Sequence, residues 1–194
     1  STPRKLRLAF EKLGPSFVKI GQILSTRSDI FPEVYVRELS KLQSNVLPLP
    51  TELVMEAIEA ELTGPISEYF SEIRPEPLAS GSVAQTHRAR LLNGKDVIIK
   101  IQRPNLPEII EEDLTLLIRL SRRIPKAFIP MVELPEVLQQ IKESLTCEIN
   151  FRNEAQAMIT FAELNQSSKC IASPEVYGEF TTPRLIVEDY VSGI

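Results

Sequence analysis

Histidine occurs once in the 194 residues, at His87, and cysteine twice, at Cys147 and Cys170. A single histidine excludes a histidine-rich metal site and makes a serine–histidine–aspartate hydrolase a poor reading. Two cysteines so far apart build neither a disulfide framework nor a zinc site. Both read as reduced and structural, in a reducing compartment. Basic residues do not outnumber acidic ones: 22 Lys and Arg face 26 Asp and Glu, for a net charge of −4, which argues against a nucleic-acid partner. No apolar run approaches the ~20 residues that cross a bilayer, and the opening residues do not read as a secretory leader. Glycine is scarce, with seven residues against fifteen prolines, so proline does most of the punctuation.

What is there divides in two. Residues 1–73 read as an all-helical N-terminal extension. Leu6, Phe10 and Leu13 keep helical spacing up to the Gly14-Pro15 break. A second helix carries Phe17, Ile20 and Leu24 on one stripe, with Lys19 and Gln22 sharing another. Pro32 suits the first turn of a third, bearing Val36, Leu39 and Leu42. Thr51 caps a fourth, with Leu53, Ile58 and Leu62 available for burial.

Residues 74–194 change pattern. "VAQTHRARL" alternates as a strand, Asn93-Gly94 predicts a type I′ hairpin, and "DVIIKIQ" is the return strand. On a period of two, Val97, Ile99 and Ile101 point one way, Ile98 and Lys100 the other. Residues 104–146 form a helical insertion with a loop from Pro125 to Pro130. "CEINFRNEAQAMITFAELNQ" predicts one long helix with Phe151, Ala155, Met158 and Ala162 as its packing stripe. "PEVYGEF" and "PRLIVEDYV" complete an antiparallel sheet of about five strands, in an α+β fold.

Lys100 is the odd residue in its apolar strand. It is either solvated or held against a phosphate or carboxylate. The loop before the hairpin offers Ala79, Ser80, Gly81 and Ser82, small enough for backbone N–H groups to approach an anion, with serine hydroxyls as further donors. A lysine one strand later reaches phosphates, and a helix glutamate, Glu154, holds that lysine. This is the logic of a kinase small lobe. Each sign alone also fits an ordinary turn and a solvated lysine.

"KLGPSFVKIGQILSTRSDIFP", "PLASGSVAQTHRA", "VIIKIQRP", "CEINFRNEA" and "LIVEDYVSG" together resemble the UbiB/ADCK family of atypical protein-kinase-like proteins over almost the whole chain. The resemblance makes Lys19, Gly21 and Gln22 the Lys-x-Gly-Gln motif, expected to fold over the nucleotide cleft and restrict protein substrates. It makes residues 79–82 the counterpart of an alanine-rich loop, here Ala-Ser-Gly-Ser. Lys100 becomes the nucleotide lysine, and Glu148 and Asn150 the Glu-x-Asp motif, with asparagine where an acid is usual. The hinge backbone near Asp189 and Val191 is expected to meet adenine. ATP and magnesium are the implied cofactors, with the metal ligands in a large lobe beyond residue 194. This chain is expected to be a fragment that holds half an active site and turns over no ATP alone. ATP or ADP, a membrane lipid or isoprenoid quinone precursor, and lipid-biosynthesis proteins are the implied partners. The implied setting is cytoplasmic or peripheral to the inner face of a membrane.

Two readings follow. One is the nucleotide-binding half of an atypical kinase or ATPase in isoprenoid quinone or lipid metabolism. The alternative is a silent pseudokinase-like module binding a lipid or partner protein through its helices, which Asn150 and the altered loop favour. Glu148 also reads as a first-turn acid and His87 as a half-buried strand residue without chemistry. Glu111, Glu112 and Asp113 read as a solvated face. The leucine face of 106–124 reads as packing, with Arg119, Arg122 and Arg123 leaving a membrane surface open.

Overall fold

A strand carrying Val97, Ile99 and Ile101 on one face has to bury that face, and the sheet around it does so. In the computed structural model, which describes residues 2–29, 31–42, 46–123, 133–168, 171 and 173–192, the four strands are antiparallel and lie side by side in chain order. They are β1 (Phe70–Ser80), β2 (Ala84–Leu91), β3 (Asp96–Gln102) and β4 (Leu185–Asp189). Among the described residues, seven α-helices accompany them: α1 (Thr2–Leu13), α2 (Pro15–Leu24), α3 (Glu33–Leu39), α4 (Thr51–Glu61), α5 (Leu106–Ser121), α6 (Leu134–Glu148) and α7 (Phe151–Leu164). The fold is α+β. Two compact units form, residues 1–46 with 105–147 and residues 47–104 with 148–194.

In the second unit, Val97, Ile99 and Ile101 join Val54 and Ile58 of α4, Leu185 and Val187 of β4, and Tyr177 in one core. Among the helices expected in the N-terminal extension, α4 thus contributes to the sheet's core. It does so through Val54 rather than the expected Leu53, which is exposed. The strand period explains the other face: Ile98 and Lys100 are half-buried there.

Three expectations about strands change. An all-helical extension was expected through residue 73, but β1 starts at Phe70, after a 3-10 turn at Ile66–Glu68. Pro75 and Pro77 hid this strand; it tolerates them because it is an edge strand with three register shifts. About five strands were expected and four form among the described residues, because "PEVYGEF" contributes only the bridge from Val176 to Glu188 and a 3-10 turn. The hairpin is not type I′ either. Gly94 alone has positive φ (87°). Its N–H donates to the Leu91 carbonyl, and Leu91 N–H to that of Lys95, so the loop has three residues with glycine in the left-handed position.

The expected long helix from Cys147 is two. α6 ends at Glu148 and Asn150 caps α7, its Oδ1 accepting from Arg152 N–H at 3.1 Å. Glu148 is therefore a last-turn rather than a first-turn residue. Cys147 is a thiol exposed on α6; Cys170 and the Pro125–Pro130 loop lie outside the described residues.

In the first unit, α1 packs on α2 and α3, and α2 also on α5. Arg7 holds Glu38 at 2.9 Å and also pairs with Glu11. Gly21 explains how closely α2 is seated: a Cβ there would lie 2.3 Å from Leu42 Cδ1 and 2.7 Å from Phe10 Cδ2. Overpacking of this kind costs about 1–3 kcal/mol. Gly21→Ala is expected to lose stability of that order, measured as a lower midpoint in urea unfolding with an unchanged slope.

Candidate functional site

The half-buried face of the sheet is where the polar residues collect. Lys100 and Ile98 on β3 stand beside Ile186 and Glu188 on β4, in the register Lys100 to Ile186 and Ile98 to Glu188. α7 covers this face: Phe151 and Ala155 pack with Ala84 and Ile186. The start of α7 is pinned by the Asn150 cap, by Phe151 N–H donating to the Pro183 carbonyl at 3.0 Å, and by Gln102 Nε2 donating to the Ile149 carbonyl at 2.7 Å. One turn in, Glu154 meets Lys100. The ammonium lies 2.8 and 2.7 Å from the two carboxylate oxygens and 4.9 Å from the Phe151 ring centroid.

Both partners keep about a third of their side chain in solvent, 34 % for Lys100 and 37 % for Glu154. The pair is thus closer to a surface ion pair than to a buried one. An ammonium has three donors, and the bond to one carboxylate leaves capacity for a ligand.

Glu188 was not singled out in the sequence, where it looked like part of a hinge. Its position two residues from Ile186 puts it on the Lys100 face. Burial raises its pKa, the Glu154 charge raises it further, and Lys100 opposes both. One ammonium thus serves two carboxylates. The strand period applied to "LIVED" could have found it.

The turn at 79–82 differs from the expected picture in one respect. Ala79 and Ser80 end β1, Gly81 N–H donates to the Ala84 carbonyl at 2.8 Å, and Ser82 is buried. The Ser80 hydroxyl is turned inward, within 3.4 Å of Gln85 Oε1 and accepting from Arg103 at 2.9 Å. Serine hydroxyls are therefore not the outward donors. The Ser82 and Val83 N–H groups, at the tip, have no acceptor among the described residues.

At the end of β4, Asp189 accepts from the Tyr177 hydroxyl at 2.7 Å, and its N–H goes to the Glu175 carbonyl. Burial and the bond to Asp189 push the Tyr177 hydroxyl above its usual pKa. Tyr190 N–H donates to the Asp96 carbonyl, and the Arg88 guanidinium stacks 4.1 Å over the Tyr190 ring. Val191 is exposed. In the first unit, Lys19 is half-buried and Gln22 donates to the Leu42 carbonyl at 3.2 Å. Glu148 is exposed at the end of α6. Among the described residues, no group of three or more His, Cys, Asp or Glu could hold a metal ion, and no helix is long and apolar enough to cross a membrane.

The family described as the ABC1 atypical kinase-like domain matches residues 41–194. The chain belongs to that family. It is 40 % identical over 190 residues to an aarF domain-containing protein kinase of the Arabidopsis thaliana chloroplast, covering 97 % of this chain and 28 % of the relative. It is 37 % identical over 193 residues to a Pseudomonas aeruginosa protein described as probable protein kinase UbiB, covering 98 % of this chain and 36 % of the relative. The chain thus spans roughly a third of such relatives. The solved structure of Rv3197 with erythromycin, from Mycobacterium tuberculosis, matches with a TM-score of 0.65 and 27 % identity, over 90 % of this chain and 44 % of that one. The architecture of the ABC1 chain is accordingly kinase-like.

Two stability tests follow from the cluster. Because the Lys100–Glu154 pair is a third exposed, Glu154→Gln is expected to cost about 1 kcal/mol in chemical unfolding, well below the about 3–5 kcal/mol of a buried pair. Glu188 carries a raised folded-state pKa, so its ionisation works against folding: the effect is absent below the unfolded carboxyl value and grows as pH climbs through the folded one. Glu188→Gln is expected to melt above the parent near neutral pH and with it below about pH 4, read from melting curves across that range.

Proposed function

We propose that this chain is the nucleotide-binding half of an atypical kinase or ATPase of the UbiB type that supports isoprenoid quinone or lipid metabolism. The observation that carries the reading is the Lys100–Glu154 ion pair, set on the half-buried face of a sheet whose first turn leaves the Ser82 and Val83 N–H groups without an acceptor among the described residues. A strand lysine fixed by a helix carboxylate is the arrangement that holds α- and β-phosphates. ATP or ADP is the ligand this donor set fits: Lys100 would hold the phosphates, Glu154 would orient Lys100, and residues 79–82 would cover the phosphates through backbone N–H groups. The hinge backbone at Asp189 and Val191 would meet the base.

Magnesium, when bound with ATP, neutralises phosphate charge. The described residues supply no cluster for it, so no step is assigned to it. This chain's residues bind and orient. Lys19, Gly21 and Gln22, with Glu148 and Asn150, are assigned to regulating that site. A membrane lipid, an isoprenoid quinone precursor or lipid-biosynthesis proteins are the further partners in this reading, at a membrane surface.

A second reading, a silent module binding a lipid or partner protein, draws on Asn150. It serves as a helix cap where an acid is expected, and an amide supplies no carboxylate to a metal.

Titration of the intact protein with ATP and magnesium separates the two. Saturable binding is expected, with Lys100→Ala raising Kd by about a hundredfold, the ~3 kcal/mol scale of a hydrogen bond to a charged group. Equal binding by parent and variant would remove Lys100 from the site, and no binding by either would leave the silent module.

A further inference from the structure

Beneath the 79–83 turn runs a chain of polar contacts that nucleotide contact alone does not require. Gln85 and His87 are fully buried on β2. Leu49 N–H donates to Gln85 Oε1 at 2.8 Å, which fixes the amide: this atom is the oxygen. The Gln85 nitrogen then lies 2.9 Å from His87 Nε2 and must donate to it. His87 consequently carries its proton on Nδ1 and donates to the Arg74 carbonyl at 2.8 Å. Every donor and acceptor in this relay has one assignment.

The relay reaches the turn through Ser80, whose hydroxyl lies 3.4 Å from the same Gln85 oxygen. Arg103 closes it from the other side. Its Nε donates to the Gly81 carbonyl at 2.8 Å, and its Nη2 donates to Ser80 Oγ and to the Leu47 carbonyl, both at 2.9 Å. Arg103 N–H also donates to the Val83 carbonyl at 2.9 Å. All four acceptors are neutral. Burial alone lowers the Arg103 pKa, with no acid opposing it. A half-buried guanidinium that spends its charge on neutral oxygens is costly; an anion seated on the turn above would offset that cost.

We propose that Gln85, His87 and Arg103 are positioning residues for the nucleotide turn, holding Ser80 and Gly81 from within the sheet so that the Ser82 and Val83 N–H groups keep one spacing for a phosphate. Arg103 adds the positive field beneath that phosphate. This rests on the proposed function, which puts phosphate at this turn.

The test uses the intact protein and two variants. Gln85→Met cuts the relay at its middle. Arg103→Lys keeps the charge and loses the fork that grips three oxygens. Each is titrated with ATP and magnesium, and hydrogen exchange without nucleotide is followed at the Gly81 and Arg103 amides, whose bonds close the turn. Both variants are expected to raise Kd by about tenfold, the equivalent of about one hydrogen bond, and to speed exchange at those amides while the β3–β4 amides stay protected. A folded variant with parental exchange and a Kd within about twofold of the parent would overturn the proposal. If the parent itself binds no nucleotide, the functional reading fails, and the exchange rates alone decide whether the relay positions the turn. Should Gln85→Met not fold, Arg103→Lys decides by the same two readouts.

Discussion

A strand with neighbours on both edges cannot choose freely where its side chains go. β3 lies between β2 and β4, so its odd residues must fill one core and its even residues another layer. Val97, Ile99 and Ile101 take the first. Lys100 is left on the face that α7 covers, beside Ile186 and under Phe151. An ammonium removed from part of its water needs a compensating charge, and Glu154 supplies it. The path of α7 follows from this demand: the Asn150 cap and the bonds from Phe151 and Gln102 start the helix where its first turn brings Glu154 over the lysine.

The same crowding sets the electrostatics. Glu154 and Glu188 come from different elements, one on a helix and one on an edge strand, yet both act on Lys100. Two carboxylates thus converge on an ammonium that keeps donor capacity. Such a group is well suited to exchange part of its contact for a phosphate oxygen, since a third of its side chain is already open to solvent. The turn at 79–83 is built on the opposite plan. Its Ser80 hydroxyl is turned into the sheet, and its Ser82 and Val83 N–H groups have no acceptor among the described residues.

Proline and glycine carry more of the architecture than their numbers suggest. Pro75 and Pro77 sit in β1, an edge strand, where a missing N–H is tolerable. Gly94 closes the hairpin in the left-handed conformation. Gly21 has a different duty, since α2 lies against Phe10 and Leu42 with no room for a Cβ. In the Lys-x-Gly-Gln segment the glycine is thus explained by packing within the first unit.

Period and punctuation were enough to read most elements. The alternation of "DVIIKIQ" determined which face Lys100 takes, because a strand's side-chain period is two whatever surrounds it. Helical spacing likewise determined α2 and the packing stripe at the start of α7, and the order of turn, strand lysine and helix glutamate anticipated the Lys100–Glu154 pair. Local sequence could not decide long-range matters. β1 is a strand only because β2 pairs with it, and its prolines argue the other way when read alone. Asn150 ends one helix reading and caps another because Pro183 and Gln102, distant in sequence, fix the chain there. Glu188 and Arg103 gained their places beside Lys100 and beneath Ser80 through sheet register and packing. Spacing along a chain sets which way a side chain points; what it meets there is set by partners that only the folded chain brings together.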